Sequence, residues 1–190
     1  MRSNPERRAA LVDAAIEVLA ELGARGLTFR AVDSQAGVPP GTASNYFANR
    51  DDLLAQAGGR VYERLTPDGE SLAQSLGGPH DRDRLVELMR EVVGRITAFR
   101  TGFLALLELR LEATRRPELR GVLTERIRAD LDFNVTNHLR SGMPGDATTV
   151  RLLYFTLNWL IVDQLTLPDL LSENEIHELI GAAVDRALPR

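Results

Sequence analysis

The chain has no cysteine, so neither a disulfide framework nor a thiolate metal site is open to it. Lysine is absent too: all 23 basic residues are Arg. Arg suits bidentate phosphate contacts, but here it falls on every face, which fits a GC-rich coding sequence better than one selected function. There is no apolar run of membrane-spanning length. The most apolar stretch, Leu152 to Val162, is short and interrupted by Thr156 and Asn158, so no membrane span is expected. No apolar segment near the N-terminus reads as a secretory signal, and a cytoplasmic location is the default expectation. His80, His138 and His177 show no metal-ligand spacing. No nucleophile motif or phosphate loop is found. The expectation is therefore no metal, no cofactor and no enzyme.

With 44% hydrophobic and 26% charged residues the chain reads as globular rather than disordered. The net charge of −4 argues at first against a nucleic-acid partner. Its distribution softens that. Residues 1–50 carry six Arg against five acids, a net of +1, and the remaining 140 carry 17 Arg against 22 acids, a net of −5. The local charge of a docking face matters more than the total.

Apolar periodicity is helical almost throughout, with no alternating strand pattern. A first helix is expected from Pro5 to Leu22, with Leu11, Val12, Ala15, Ile16, Leu19 and Leu22 on one face and Gly23 as its stop. Thr28 reads as the N-cap of a short helix reaching Ala36. Pro39 and Pro40 open a second short helix reaching Tyr46, and Asn49 caps a longer one that ends at Pro67. Leu76 to Pro79 reads as a link. Helices then follow from Asp81, from Phe103 to Leu111 after a break at Arg100–Gly102, and from Pro117 to Arg140. Beyond a turn at Ser141–Gly145 come Asp146–Leu167 and Ser172–Leu188, the last opened by a Ser172/Glu175 capping box. The fold class is all-α: an N-terminal three-helix module over residues 1–50, then a connecting helix and a helical bundle over 51–190.

The segment from Leu27 to Phe47 has the anatomy of a helix-turn-helix. Val32 and Ala36 face inward, Gly37 takes a left-handed turn that a side chain resists, and Val38 plugs the angle. Phe29 and Phe47 complete a small core against the first helix. The second helix presents Thr42, Ser44 and Asn45 outward, short side chains that let a backbone approach the major groove. Pro39, Pro40 and Gly41 lie at its start. Thr28 can offer an amide and a hydroxyl to a phosphate, and Arg30, Tyr46 and Arg50 flank the surface. Each residue has a plainer reading: any tight αα-corner uses Gly37, Tyr46 can pack beside Phe47, and Arg30 and Arg50 can be solvated. The rival to DNA binding is a helical protein-interaction module.

The run Leu27-Thr28, Ala36-Gly37-Val38, Gly41-Thr42, Tyr46-Phe47, Asn49-Arg50 and Leu53-Leu54 resembles the N-terminal domain of the TetR family, over about Leu11 to Leu54. The resemblance implies an all-α homodimer with a variable C-terminal domain that binds small molecules. It also implies DNA contacts, mostly to phosphates, at Thr28, Arg30, Thr42, Tyr46 and Arg50. The sequence departs from the family pattern at Asp33, where a small residue is common, at Pro39–Pro40, and at Ser44, where Tyr is frequent. These departures imply an unusual operator preference.

The helix from Asp146 is apolar on nearly every face, which requires burial on every face. With the stripe Ile176, Leu179, Ile180, Ala183, Val184 and Ala187 of the last helix, it is expected to form a homodimer through the last two helices. A two-fold dimer reads a palindromic double-stranded DNA operator. Polar groups among apolar helices mark an effector pocket for a small apolar or amphipathic molecule. Its candidates are Phe103, Leu107, Arg110, Phe133, Asn137, Tyr154, Asn158 and Trp159. Effector binding would tilt the helix from Asn49 and change the spacing of the reading elements, most simply in a repressor released from its operator. Gly58–Gly59 within that helix is either a hinge or a close packing contact.

Overall fold

Short polar side chains set the helix starts. In the computed structural model, which describes residues 4–66 and 77–189, Asn4 Oδ1 accepts from the amide of Arg7 (3.1 Å) and opens α1 (Pro5–Gly26). Thr28 Oγ1 accepts from Ala31 (3.1 Å) and opens α2 (Phe29–Gln35). Asn49 Oδ1 accepts from Asp52 (2.9 Å) and opens α3 (Arg50–Leu65). Then come α4 (Arg82–Ala98), α5 (Arg100–Ala113), α6 (Pro117–Ser141), α7 (Ala147–Thr166) and α8 (Glu173–Ala187). Capping boxes Asp146/Thr149 and Ser172/Glu175 open the last two, each cap worth about 1 kcal/mol. No strand occurs among the described residues, and the fold is all-α as expected. Pro67 and Leu76, the expected helix end and link start, lie outside the described residues.

The described residues pack as two units, 4–66 with 99–127 and 77–98 with 128–189. The sequence expects a functional division at 50/51, and α3 and α5 pack with the N-terminal helices in one core. Leu53, Leu54, Ala57 and Val61 of α3, with Ala105, Leu106 and Leu109 of α5, join one core with Leu11, Ile16, Leu19, Val32 and Phe47. Phe29, Ala36 and Val38 pack against it, half-buried. Each fully buried Leu or Ile here contributes roughly 1.5–3 kcal/mol.

Two glycine readings resolve into packing. A Cβ on Gly58 would lie 2.9 Å from Leu123 Cδ2. Gly58 therefore admits α6 against α3, which shows no non-helical residue there. The expected break at Arg100–Gly102 narrows to Phe99, whose ψ of 52° leaves the helical region. Gly102 instead seats the Phe99 ring: a Cβ there would fall 2.1 Å from Phe99 Cε1. The first helix does leave helical geometry at Gly23, as expected, before a last turn to Gly26.

In the second unit, Leu85, Val86 and Leu88 of α4 pack with Leu153 of α7 and Val184 of α8. Arg82 pairs both carboxylate oxygens of Asp185 (2.7 and 2.9 Å). The buried Thr149 hydroxyl donates to the carbonyl of Ala187 (2.9 Å). On α7 only part of the circumference is covered: Leu153, Leu157, Leu160, Ile161 and Leu165 are buried, while Leu152, Phe155 and Trp159 are 51%, 56% and 69% exposed.

His138 is buried at the end of α6, its Nε2–H donating to the carbonyl of Pro144 (3.1 Å). Burial holds its pKa below the ordinary value, against the opposing pull of the Pro144 carbonyl and of Asp146. The neutral ring thus stabilises the fold above the unfolded pKa of about 6.5, and that contribution is lost as pH falls through the lower folded value. The melting temperature of the wild type is expected to drop between pH 7 and 5, and His138→Gln should flatten that slope. An equal slope in both proteins would assign the drop elsewhere.

Candidate nucleic-acid interface

α2 ends at Gln35, Ala36 caps it, and Gly37 turns with φ +62°. The chain then runs through Val38 and Pro39 into a hydrogen-bonded turn and a single 3-10 turn, Ala43–Asn45. The expected helix from Pro39 to Tyr46 is therefore corrected. Two causes are visible. Gly41 lies at φ +88°, outside helical geometry. Asp33, on α2, also draws in the amides that would open a helix. Its Oδ2 accepts from Gly41 and its Oδ1 from Ala43, both at 2.7 Å. The Asp33 residue is 2% exposed. A buried carboxylate is tolerable only when its lone pairs are filled, and these two amides fill them. Asp33 therefore shapes the turn from behind.

The polar side chains of the turn close on its own backbone. Thr42 Oγ1 donates to Pro39 O, and Ser44 Oγ and Asn45 Nδ2 both donate to Gly41 O, each at 2.9 Å. The hydroxyl oxygens and the Asn45 amide oxygen keep acceptor capacity, while both hydroxyl hydrogens and one of the two Asn45 amide hydrogens are engaged. Thr28, Arg30, Pro39, Pro40, Gly41, Ser44 and Asn45 are exposed, and Thr42 and Tyr46 half-buried. The Thr28 hydroxyl, as cap acceptor, still has its own hydrogen to donate.

Arg50 is placed differently from the other nine. Its Nε donates to the carbonyl of Leu27 (3.0 Å) and its Nη2 to that of Ala24. The amide of Ala24 in turn donates to Glu108 Oε2 of α5 (2.9 Å). Arg50 and Glu108 thus fix the α1–α2 link from both sides. Arg8, not singled out from the sequence, does the same for the far end of the turn. Its Nη1 donates to Tyr46 O (2.8 Å), its Nε to Gln56 Oε1 (2.9 Å), and its guanidinium lies 5.1 Å from the Phe47 ring centre. Nothing local in the sequence separates Arg8 and Arg50 from a solvated Arg; their partners lie 23 to 48 residues away.

The effector candidates divide between the units. In the first, Phe103 is buried, Leu107 half-buried and Arg110 exposed. In the second, Phe133, Asn137, Tyr154 and Asn158 are half-buried and Trp159 is exposed. The Tyr154 hydroxyl donates to Asp130 Oδ2 (2.8 Å), and Asn158 Nδ2 donates to Tyr154 O (2.7 Å). Nothing local in the sequence singles out Asp130.

A capped helix, a glycine turn and an exposed 3-10 turn braced from behind by a buried acid have the order of a helix-turn-helix head. Comparison with known proteins makes the class specific. Residues 11–57 match the family model described as bacterial regulatory proteins, tetR family, and residues 80–190 match tetracyclin repressor-like, C-terminal domain. The chain belongs to the TetR family and is a DNA-binding transcriptional regulator. It is 32% identical to the HTH-type transcriptional regulator BetI of Rhizobium meliloti over 143 residues, 75% of this chain and 68% of that protein. A TetR-family structure from Streptomyces coelicolor A3 matches at 30% identity and TM-score 0.70, covering 98% of this chain and 100% of that one. The multidrug binding protein EbrR, solved with imidazole, matches at 28% identity and TM-score 0.63, covering 98% and 97%.

Proposed function

We propose that the chain is a repressor that holds a palindromic duplex operator as a homodimer and releases it when a small molecule binds the second unit. The observation that carries this reading is the Asp33-braced turn within a matched tetR-family head. The exposed Thr28 and Arg30 would meet phosphates. Pro39, Pro40, Gly41, Thr42, Ser44, Asn45 and Tyr46 would face the groove, Gly41 offering close backbone approach. Arg50 would act as a strut rather than a phosphate clamp, because two carbonyls hold its guanidinium. The repressor sense follows the C-terminal family description, and EbrR, a drug-binding relative, supports effector control. The second copy would cover Leu152, Phe155, Trp159 and Leu179 on α7 and α8, which the single chain leaves exposed.

Selection of bound duplexes from a random pool tests the reading. Two inverted half-sites about one helical turn apart are expected, with affinity falling steeply as salt rises. Recovery of no common sequence, or binding indifferent to salt, would overturn it.

A further inference from the structure

Among the described residues, one helix face of the second unit carries a carboxylate with no ion-pair partner and an amide with no hydrogen-bond partner. Asp130 of α6 accepts from the Tyr154 hydroxyl (2.8 Å) and from Asn134 Nδ2 (3.4 Å). Among the described residues, no Arg or His nitrogen forms an ion pair with it. Arg95 of α4 acts on it as an opposing charge without forming an ion pair. Burial pushes the carboxyl pKa up, and the Tyr154 and Asn134 hydrogen bonds work against that. Two neutral donors are thus spent on keeping an anion in a desolvated place.

Seven residues along the same face, Asn137 Nδ2 is buried and has no hydrogen-bond partner among the described residues. Native structures rarely leave such a donor empty. At 1.5 Å rise per residue, Asp130 and Asn137 stand about 10 Å apart along the helix. Tyr154 of α7 reaches this face through its hydroxyl, which brings an electron-rich ring near the carboxylate. A metal ion is a poor occupant: no group of three or more His, Asp or Glu that could hold one occurs among the described residues. An organic ammonium, neutralised by the carboxylate and stabilised by the ring, fits better.

We propose that Asp130, Tyr154 and Asn137 form a binding site for an amphipathic organic cation with a hydrogen-bond acceptor about 10 Å from its charge. The site rests on the reading of the second unit as effector-binding and names the chemical class of that effector. The cation completes the pairing of Asp130, and its acceptor takes the empty Asn137 donor.

Three isosteric probes separate the two contacts: (6-hydroxyhexyl)trimethylammonium, heptyltrimethylammonium, which replaces the hydroxyl by methyl, and 7,7-dimethyloctan-1-ol, which replaces the charged nitrogen by carbon. Calorimetric titration of the full chain is expected to show the hydroxylated cation binding at least tenfold more tightly than either relative. Asp130→Asn should remove the preference over the neutral alcohol. Asn137→Leu, which deletes the empty donor and so should not lower the melting temperature, should remove the preference over the heptyl cation. No cation preference in the wild type, or preferences unchanged in both variants, would overturn the site. Operator selection on the wild type is a separate measurement: an operator without cation binding sinks this inference alone, and no operator sinks the regulator reading beneath it.

Discussion

Asp33→Ala is expected to abolish operator binding and to lower the melting temperature by roughly 10 °C. The substitution removes a carboxylate that is 2% exposed and leaves the amides of Gly41 and Ala43 without acceptors. A hydrogen bond to a charged group contributes about 1.5–3 kcal/mol, and a stranded buried donor costs a comparable amount. Two such losses together give about 3–5 kcal/mol, a large share of the 5–15 kcal/mol that holds a typical domain together. The effect on DNA should exceed the effect on folding. Ser44 and Asn45 both hang on Gly41 O, so a turn that loses its brace loses the geometry of its outward groups at once. Well below the melting temperature, with the variant folded by circular dichroism, operator affinity should fall at least about 100-fold, as for loss of two or more good base or phosphate contacts. Asp33→Asn keeps one acceptor and turns an amide donor against a backbone donor, so it should fall between wild type and Ala. A folded Asp33→Ala protein with wild-type affinity would show that the turn is held by something else.

Asp33 also marks the limit of what the sequence tells. Local chemistry was readable. Thr28, Asn49, Asp146 and Ser172 each start a helix where a short polar side chain meets a helical apolar stripe, and each accepts an amide within three residues. The inward positions Val32 and Phe47 were readable from spacing and are buried. Pairings across the chain were not. Pro39–Pro40 is a sound helix-start signal, but it was overridden by Gly41 and by a carboxylate from another element, and the recognition segment became a 3-10 turn. Arg30 and Arg50 look alike in sequence. One is exposed, and the other reaches Leu27 and Ala24 only because α3 packs beside the α1–α2 link. Arg100–Gly102 reads as a break in a helix, which falls at Phe99 instead, because a ring seated on a glycine has no local signature. In the sequence Asn137 stands out as a polar group after Phe133 and Asn158 as one that interrupts an apolar helix, while Tyr154 reads as part of that apolar helix. Asp130, which accepts from Tyr154, has no such signal, because a lone acid on a polar-looking stretch reads as solvated surface.

The reading of α7 as apolar on all sides leads to the second large effect. Leu152, Phe155 and Trp159 fall at i, i+3 and i+7, so they form one stripe. At 51%, 56% and 69% exposure they leave a row of large apolar groups in water on a single chain, continued on α8 by Leu179 at 46%. Large aromatic side chains bury about 150–250 Å² each when covered, and at roughly 25 cal/mol per Å² the two aromatics alone offer several kcal/mol to a partner that covers them. A second copy applies the same stripe by two-fold symmetry, so each residue counts twice. Phe155→Arg with Trp159→Asp should therefore give a folded monomer at micromolar concentration by light scattering, since neither side chain belongs to the chain's own core. Operator binding should suffer more than dimerisation chemistry alone suggests. In a dimer the second head binds at the millimolar effective concentration set by the first, and a monomer loses that gain. Affinity for the full palindrome is expected to fall by roughly 100-fold or more, while affinity for an isolated half-site stays that of wild type. A double variant that remains dimeric would move the interface off α7. A monomer that keeps full-palindrome affinity would mean that one head suffices, and the symmetric operator would go with it.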